Sequence, residues 1–274
     1  MSRWHPFPIK AQKHTVVGTV LEQTKVYSPQ LDNYRPIYTY LPPSYQTQPW
    51  KRYPVVYMHD GQNLFDEQTS YLNEWCVDET MEQFAREGHE AIIVGIANAL
   101  DERINEYAPV TDERLGRGGK GDAYLDFLFE TIKPMIDSEF RTQAGPDTTA
   151  LAGSSMGGLI SLYGFLRNPE TVGLAACLSS SLWFGQQDLF ALFEQFPHRT
   201  GRLYLDIGWL ERDDDFEEPH ENTMLSTNRA MHALLQRQGY SKKQLMYLED
   251  RKGTHTEKVW ARRFPFALRF LFGW

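Results

Sequence analysis

The sequence predicts an α/β fold with a mainly parallel central sheet, helices on both faces and an antiparallel start. Three observations carry that expectation. Short apolar runs alternate along the chain with stretches of helical period, the pattern of parallel strands covered on both faces. The stretch from Thr148 to Arg167 reads as strand, glycine-bearing turn and helix. Polar residues cluster directly after the apolar runs, and in such sheets ligands sit beyond the carboxyl ends of the strands.

Taken in order, residues 14–26 and 35–41 read as strands rich in β-branched and aromatic side chains, forming the antiparallel start. Pro42 and Pro43 end the second, because proline cannot stay in a ladder. Tyr53 to Met58 is a buried strand that runs into the polar turn His59-Asp60-Gly61-Gln62. Residues 73–87 have helical period, and Ala91 to Ile96 is another buried strand. Residues 98–120 read as a long loop carrying Arg114, Arg117 and Lys120. A loop of that length without regular structure is expected to be functional, here as a mobile lid. Residues 121–139 form an amphipathic helix. Thr148 to Ala152 is a strand, Leu159 to Arg167 a helix, and a further strand lies near 173–178. Leu203 to Ile207 is a strand, 222–238 a helix, Gln244 to Glu249 a strand and 256–271 the last helix. With no internal repeat, residues 1–274 read as a single domain.

The 274 residues are 41% hydrophobic, enough for one large core. No apolar run approaches the roughly 18 residues of a membrane span. The segment Met1 to Pro8 lacks the apolar stretch of a signal peptide. Cys76 and Cys177 have no metal-binding spacing between them and read as reduced thiols of a cytoplasmic protein. A net charge of −8 disfavours nucleic acid as a partner. The expected partner is a small molecule, neither nucleic acid nor membrane, with no metal or cofactor; the oligomeric state stays open.

Gly153-Ser154-Ser155-Met156-Gly157 fits G-x-S-x-G at the strand-to-helix junction. That context pushes the central serine out of a tight turn at a helix N-terminus, which favours developing negative charge. Ser155 is therefore the expected nucleophile. A serine needs a base, and the base an orienting acid. Of the later histidines, His255 lies in Gly253-Thr254-His255, after the last strand and before the last helix. His198 and His220 fall in earlier loops, and His232 reads as a helix-face residue. The acid is expected after the strand that ends near Ile207: Glu211 first, Asp206 second, Asp213, Asp214 and Asp215 further off. The oxyanion hole needs two backbone donors. Met156 follows the nucleophile, and Gly61 or Gln62 supplies the second from the turn after the 53–58 strand. Asp60 is expected to brace that turn. Trp183, Phe184 and Trp209 follow strand ends, where they either wall a pocket or pack the core. Glu211 to Glu221 carries seven acids in eleven residues, read as a solvated run that would repel anionic substrates if it rimmed the site.

Assembled, these residues resemble the putative-esterase group of the α/β-hydrolases, which includes siderophore, feruloyl and acetyl-xylan esterases and S-formylglutathione hydrolases. The resemblance spans roughly 14–272. It rests on Leu41-Pro42-Pro43-Ser44-Tyr45, on Tyr57 to Asp66, on Arg103 with Glu106-Tyr107-Ala108-Pro109, on the elbow, and on Gly253-Thr254-His255 followed by Trp260. It implies an α/β-hydrolase fold and a serine esterase working through an acyl-enzyme. Arg103 then lies either at the substrate or in a structural pair with Glu106. Acyl transfer on the same residues, and a binding protein that kept the scaffold without catalysis, are the alternatives.

Overall fold

A computed structural model describes residues 4–9, 13–211 and 223–274. One nine-stranded sheet organises the chain, in the order β1-β2-β3-β5-β4-β8-β9-β10-β11. The antiparallel start is β1 (His5–Pro6), β2 (Thr19–Ser28) and β3 (Asn33–Leu41), and β3 also meets β5 (Ile92–Ile96) antiparallel. From β5 onward every pairing is parallel, through β4 (Val55–His59), β8 (Thr149–Ser154), β9 (Leu174–Leu178), β10 (Arg202–Gly208) and β11 (Leu245–Asp250).

The central strands β4, β5, β8 and β9 are buried at every position, as strands covered on both faces must be. Successive side chains point to opposite faces, so each strand feeds two cores. Tyr57, Val94, Leu151 and Cys177 join one; Val56, Ile93, Ala152 and Ala176 join the other. The first core is closed by the helical run 121–139, which holds α4 (Gly121–Asp126) and α5 (Lys133–Glu139), by α6 (Met156–Arg167) and by α8 (Thr223–Arg237). The second is closed by α2 (Val77–Arg86) and α9 (Glu257–Phe272).

Several expectations are corrected. The first strand begins at Thr19 instead of residue 14, and β1 was not foreseen. Two short helices were missed: α1 (Ser44–Thr47) and α7 (Gln186–Glu194). Both are too short for an apolar period to stand out. The stretch 98–120 is not structureless. It holds a 3₁₀ turn at Leu100–Glu102, α3 (Arg103–Glu106) and a hairpin of β6 (Thr111–Asp112) and β7 (Arg117–Gly118). The acidic run after Glu211, with Asp213, Asp214, Asp215 and His220, lies outside the described residues. Among the described residues, no helix is long and apolar enough to cross a membrane.

Candidate active site

Because β4, β8, β9, β10 and β11 run parallel, the segments that follow them emerge at one end of the sheet. Ser155 sits between β8 and α6 at φ 58° and ψ −125°, a left-handed region that costs a residue with a side chain on the order of 1–3 kcal/mol. The surrounding backbone holds it there: Ser155 N donates to Leu178 O at 3.0 Å, and Ser155 O accepts from Ser181 N at 3.1 Å. The turn closes only because Gly153 has no side chain. A Cβ there would stand 2.7 Å from the carbonyl of Gly157 and 2.9 Å from His59 Cδ2. His59 is buried, and its Nδ1 shares a hydrogen bond of 2.7 Å with the Tyr124 hydroxyl. Burial, aided by Arg103 and only partly offset by Asp60, pushes its imidazole down to about 3. It is a neutral prop under the elbow.

The turn after β4 is set by Asp60, whose backbone is left-handed at φ 56°. Gly61–Asn63 then form a single 3₁₀ turn. Gly61 and Gln62 open this turn as Met156 opens α6, and amides at a helix start have no acceptor within the helix. The Asp60 carboxylate takes a bidentate pair from Arg103, Nε to Oδ1 at 2.7 Å and Nη2 to Oδ2 at 2.8 Å, and a bond from Asn98 Nδ2 at 2.6 Å. Asp60 thus braces the turn. Arg103 does not pair with Glu106, which instead receives Arg35 and Asn33.

Glu211 and His255 reach each other through a staple between two loops. Trp209 N donates to Asp250 O and Leu210 N to Gly253 O. Gly208 lies so close to the histidine loop that a Cβ would be 2.4 Å from Gly253 O. The staple delivers His255 Nδ1 to Glu211 Oε2 at 3.0 Å, with the glutamate fully buried and the imidazole about one-third exposed. Glu211 Oε1 accepts from Gly208 N at 2.7 Å and from the Ser179 hydroxyl at 2.6 Å. Burial works against its charge. The hydrogen bond and charge of His255, the Ser179 hydroxyl and Arg263 outweigh burial and hold the carboxyl below its usual range.

Asp206, the second choice for the acid, does not touch His255. Its carboxylate accepts from Ser179 N at 3.0 Å and from the Tyr204 hydroxyl at 3.0 Å, and it faces Arg263 Nε at 3.3 Å. Burial drives it up to about 6 against the pull of Arg263, Tyr204 and the Ser179 amide. The other described histidines lie elsewhere: His198 beside Gln244, His232 stacked on Tyr247 at 4.3 Å.

The aromatic residues divide. Phe184 is 1% exposed and belongs to the core against the 117–118 hairpin, so it is not a pocket wall. Trp183 is only partly buried. Trp209 is 39% exposed, and its indole N–H donates to Glu249.

Three side chains that the sequence reading passed over complete the site. The Ser181 hydroxyl shares a 3.1 Å hydrogen bond with the Ser155 hydroxyl. Among the described residues Ser155 Oγ pairs there and not with His255, a common state before substrate binds. Ser179, left-handed at φ 45°, donates to Glu211 and accepts from Trp260 Nε1 at 2.9 Å and Arg263 Nη2 at 2.6 Å. Arg263 is buried between Asp206 and Glu211. The one signal for the serines was the run Ser179-Ser180-Ser181 behind an apolar strand; nothing local marked Arg263.

Comparison with known proteins gives the family. The family described as "Putative esterase" matches residues 28–271. A Bacillus subtilis (strain 168) protein named "Uncharacterized protein YbbA" is 27% identical over 239 residues, covering 85% of this chain and 91% of its own. The siderophore triacetylfusarinine C esterase of Aspergillus fumigatus is 28% identical over 139 residues, covering 48% of this chain and 45% of its own. The crystal structure of an IroE-like serine hydrolase from Shewanella oneidensis superposes with a TM-score of 0.70 at 24% identity, over 91% of this chain and 79% of that one, a likeness of fold. The family match extends over nearly the whole sheet and every segment that builds the site, so this chain belongs to the putative esterase family, and ester hydrolysis is the activity that membership supports.

Proposed function

We propose that the protein is a serine esterase that hydrolyses carboxylic esters through an acyl-enzyme on Ser155. The observation that carries this reading is the buried Glu211 at 3.0 Å from His255 Nδ1, at the same sheet end as a serine strained into a left-handed turn. A carboxylate on Nδ1 fixes the tautomer that leaves Nε2 as base and stabilises the imidazolium that forms. Ser155 leaves its contact with Ser181 and turns to His255. His255 Nε2 takes the hydroxyl proton as Oγ attacks the ester carbonyl. The amides of Met156 and of Gly61 or Gln62 receive the negative charge on the carbonyl oxygen. His255 returns the proton to the departing alcohol. Water, deprotonated by His255, then attacks the acyl-enzyme and frees the acid.

Exposed apolar side chains lie beside these segments: Trp209 and Leu210 after β10, Leu100 after β5, and Tyr71, whose amide is tied to Asn63. They suit an apolar or aromatic acyl group. The test is intact mass after exposure to a fluorophosphonate. One adduct per chain is expected, absent in Ser155→Ala and formed far more slowly in His255→Ala. A folded wild type that takes no label overturns the reading.

A further inference from the structure

The turn that leads into α2 reads Glu74-Trp75-Cys76-Val77-Asp78-Glu79. A carboxylate oxygen of Glu74, one of Glu79 and the Cys76 sulfur all lie within 4.8 Å of one another. Metal bonds of about 2.3 Å to sulfur and about 2.1 Å to oxygen place ligand atoms roughly 3.4–3.6 Å apart around a shared tetrahedral ion, so rotations of these side chains close the set.

A second observation comes from the donors that are missing. Glu74 is 7% exposed, yet its Oε1 has no hydrogen-bond partner among the described residues. The same holds for Glu79 Oε2 and for Oδ1 of the fully buried Asp78, whose Oδ2 accepts from Val17 N at 2.7 Å. The titratable side chains facing Cys76 are Glu74, Glu79, Asp78 and Glu67, all acids. A helix N-terminus favours acids and accounts in part for Asp78 and Glu79. It does not account for Glu74, which precedes the helix, nor for oxygens that take no amide. A buried carboxylate oxygen without a donor takes up either a proton or a cation, and the Cys76 sulfur beside Glu74 and Glu79 supplies the further ligand that a metal ion needs.

We propose that Glu74, Cys76 and Glu79 bind a divalent transition-metal ion, Zn²⁺ by the softness of its thiolate ligand. On binding, the thiol releases its proton to solvent and a sulfur–metal bond forms; solvent fills the remaining position. The ion has a structural role. Trp75 N donates to Asn63 O at 2.9 Å and Val77 N to Leu64 O at 3.0 Å, directly behind the 61–63 turn. The Trp75 ring packs on Trp260 at 5.9 Å, and Trp260 meets the His255 ring edge-on at 4.9 Å. A clamp on residues 74–79 therefore steadies the backing of both the turn and the histidine.

Co²⁺ added to chelator-stripped protein tests this without any assay of activity. One equivalent is expected to bind saturably, with a thiolate-to-cobalt charge-transfer band that Zn²⁺ abolishes. Cys76→Ser should lose the band, Glu74→Gln and Glu79→Gln should each weaken binding at least tenfold, and Cys177→Ser should leave it intact. Absence of the band in wild type, or a band that survives Cys76→Ser, overturns the proposal. The two glutamine variants keep the sulfur; equal affinity in both and wild type also overturns it.

Discussion

Two halves of the site are built by different means. The elbow half, from β4 and β8, is made of backbone: Ser155 and Asp60 in left-handed turns and amides at two helix starts. The acid–histidine half, from β9, β10, β11 and α9, is made of side chains buried far from one another in sequence: Ser179, Asp206, Glu211, His255 and Arg263. Backbone geometry tolerates most side-chain changes except at positions that must lack a Cβ. A side-chain network fails at any member, and the members share one cation.

The sharpest cut at the second half is Glu211→Gln. The amide keeps the shape but removes the charge that supports imidazolium, so kcat/KM on an activated ester is expected to fall about 10³-fold. A loss under tenfold would mean that His255 works without its acid.

Asp206 and Glu211 share Arg263 but should pull stability in opposite directions with pH. Asp206 is raised from 3.8 to about 6. The native state therefore holds the proton more tightly than the unfolded chain, and stability from this group is full below the unfolded value and lost as pH rises through about 6, on the order of 3 kcal/mol. Glu211 is depressed, so its contribution is full above the normal carboxylate value and is lost as pH falls through its lowered one. Urea melts from pH 4 to 7 should show a falling Asp206 component that disappears in Asp206→Asn. An unchanged slope in that variant would remove the buried charge from the account.

The elbow half is tested by Gly153→Ala. The methyl meets the Gly157 carbonyl and His59, and overpacking of this kind costs about 1–3 kcal/mol, read as a lower urea midpoint with an unchanged m-value. A neutral result would show that the turn relaxes.

Ser179→Ala makes the smallest cut. It leaves Trp260 and Arg263 without their acceptor and Glu211 without one donor. We expect about a tenfold loss of kcat with KM unchanged, and an acidic limb of the pH profile moved upward as the Glu211 charge loses support. A change in KM alone would mark Ser179 as part of a binding surface.

Legibility in the sequence follows the same division. The buried strands were readable because each is a short apolar run, and the elbow because its constraint falls within five neighbouring residues. The Glu211–His255 pairing was inferred from position after strands, with Asp206 left open. Only the contact between the 208–211 and 250–253 segments decides between them, since it turns Glu211 toward the imidazole while Asp206 faces Arg263.

The alternation of strands and helices, the mainly parallel sheet and the glycine-bearing turn at Ser155 follow from the sequence alone, because period, glycine and strand ends are local properties. Only the packed molecule shows that Arg103 braces Asp60, that Phe184 belongs to the core beside half-buried Trp183, and that Ser179 and Arg263 support Glu211. These depend on which buried polar groups meet across the sheet, and a buried charge takes the partner that packing brings within reach, whatever their separation in the chain.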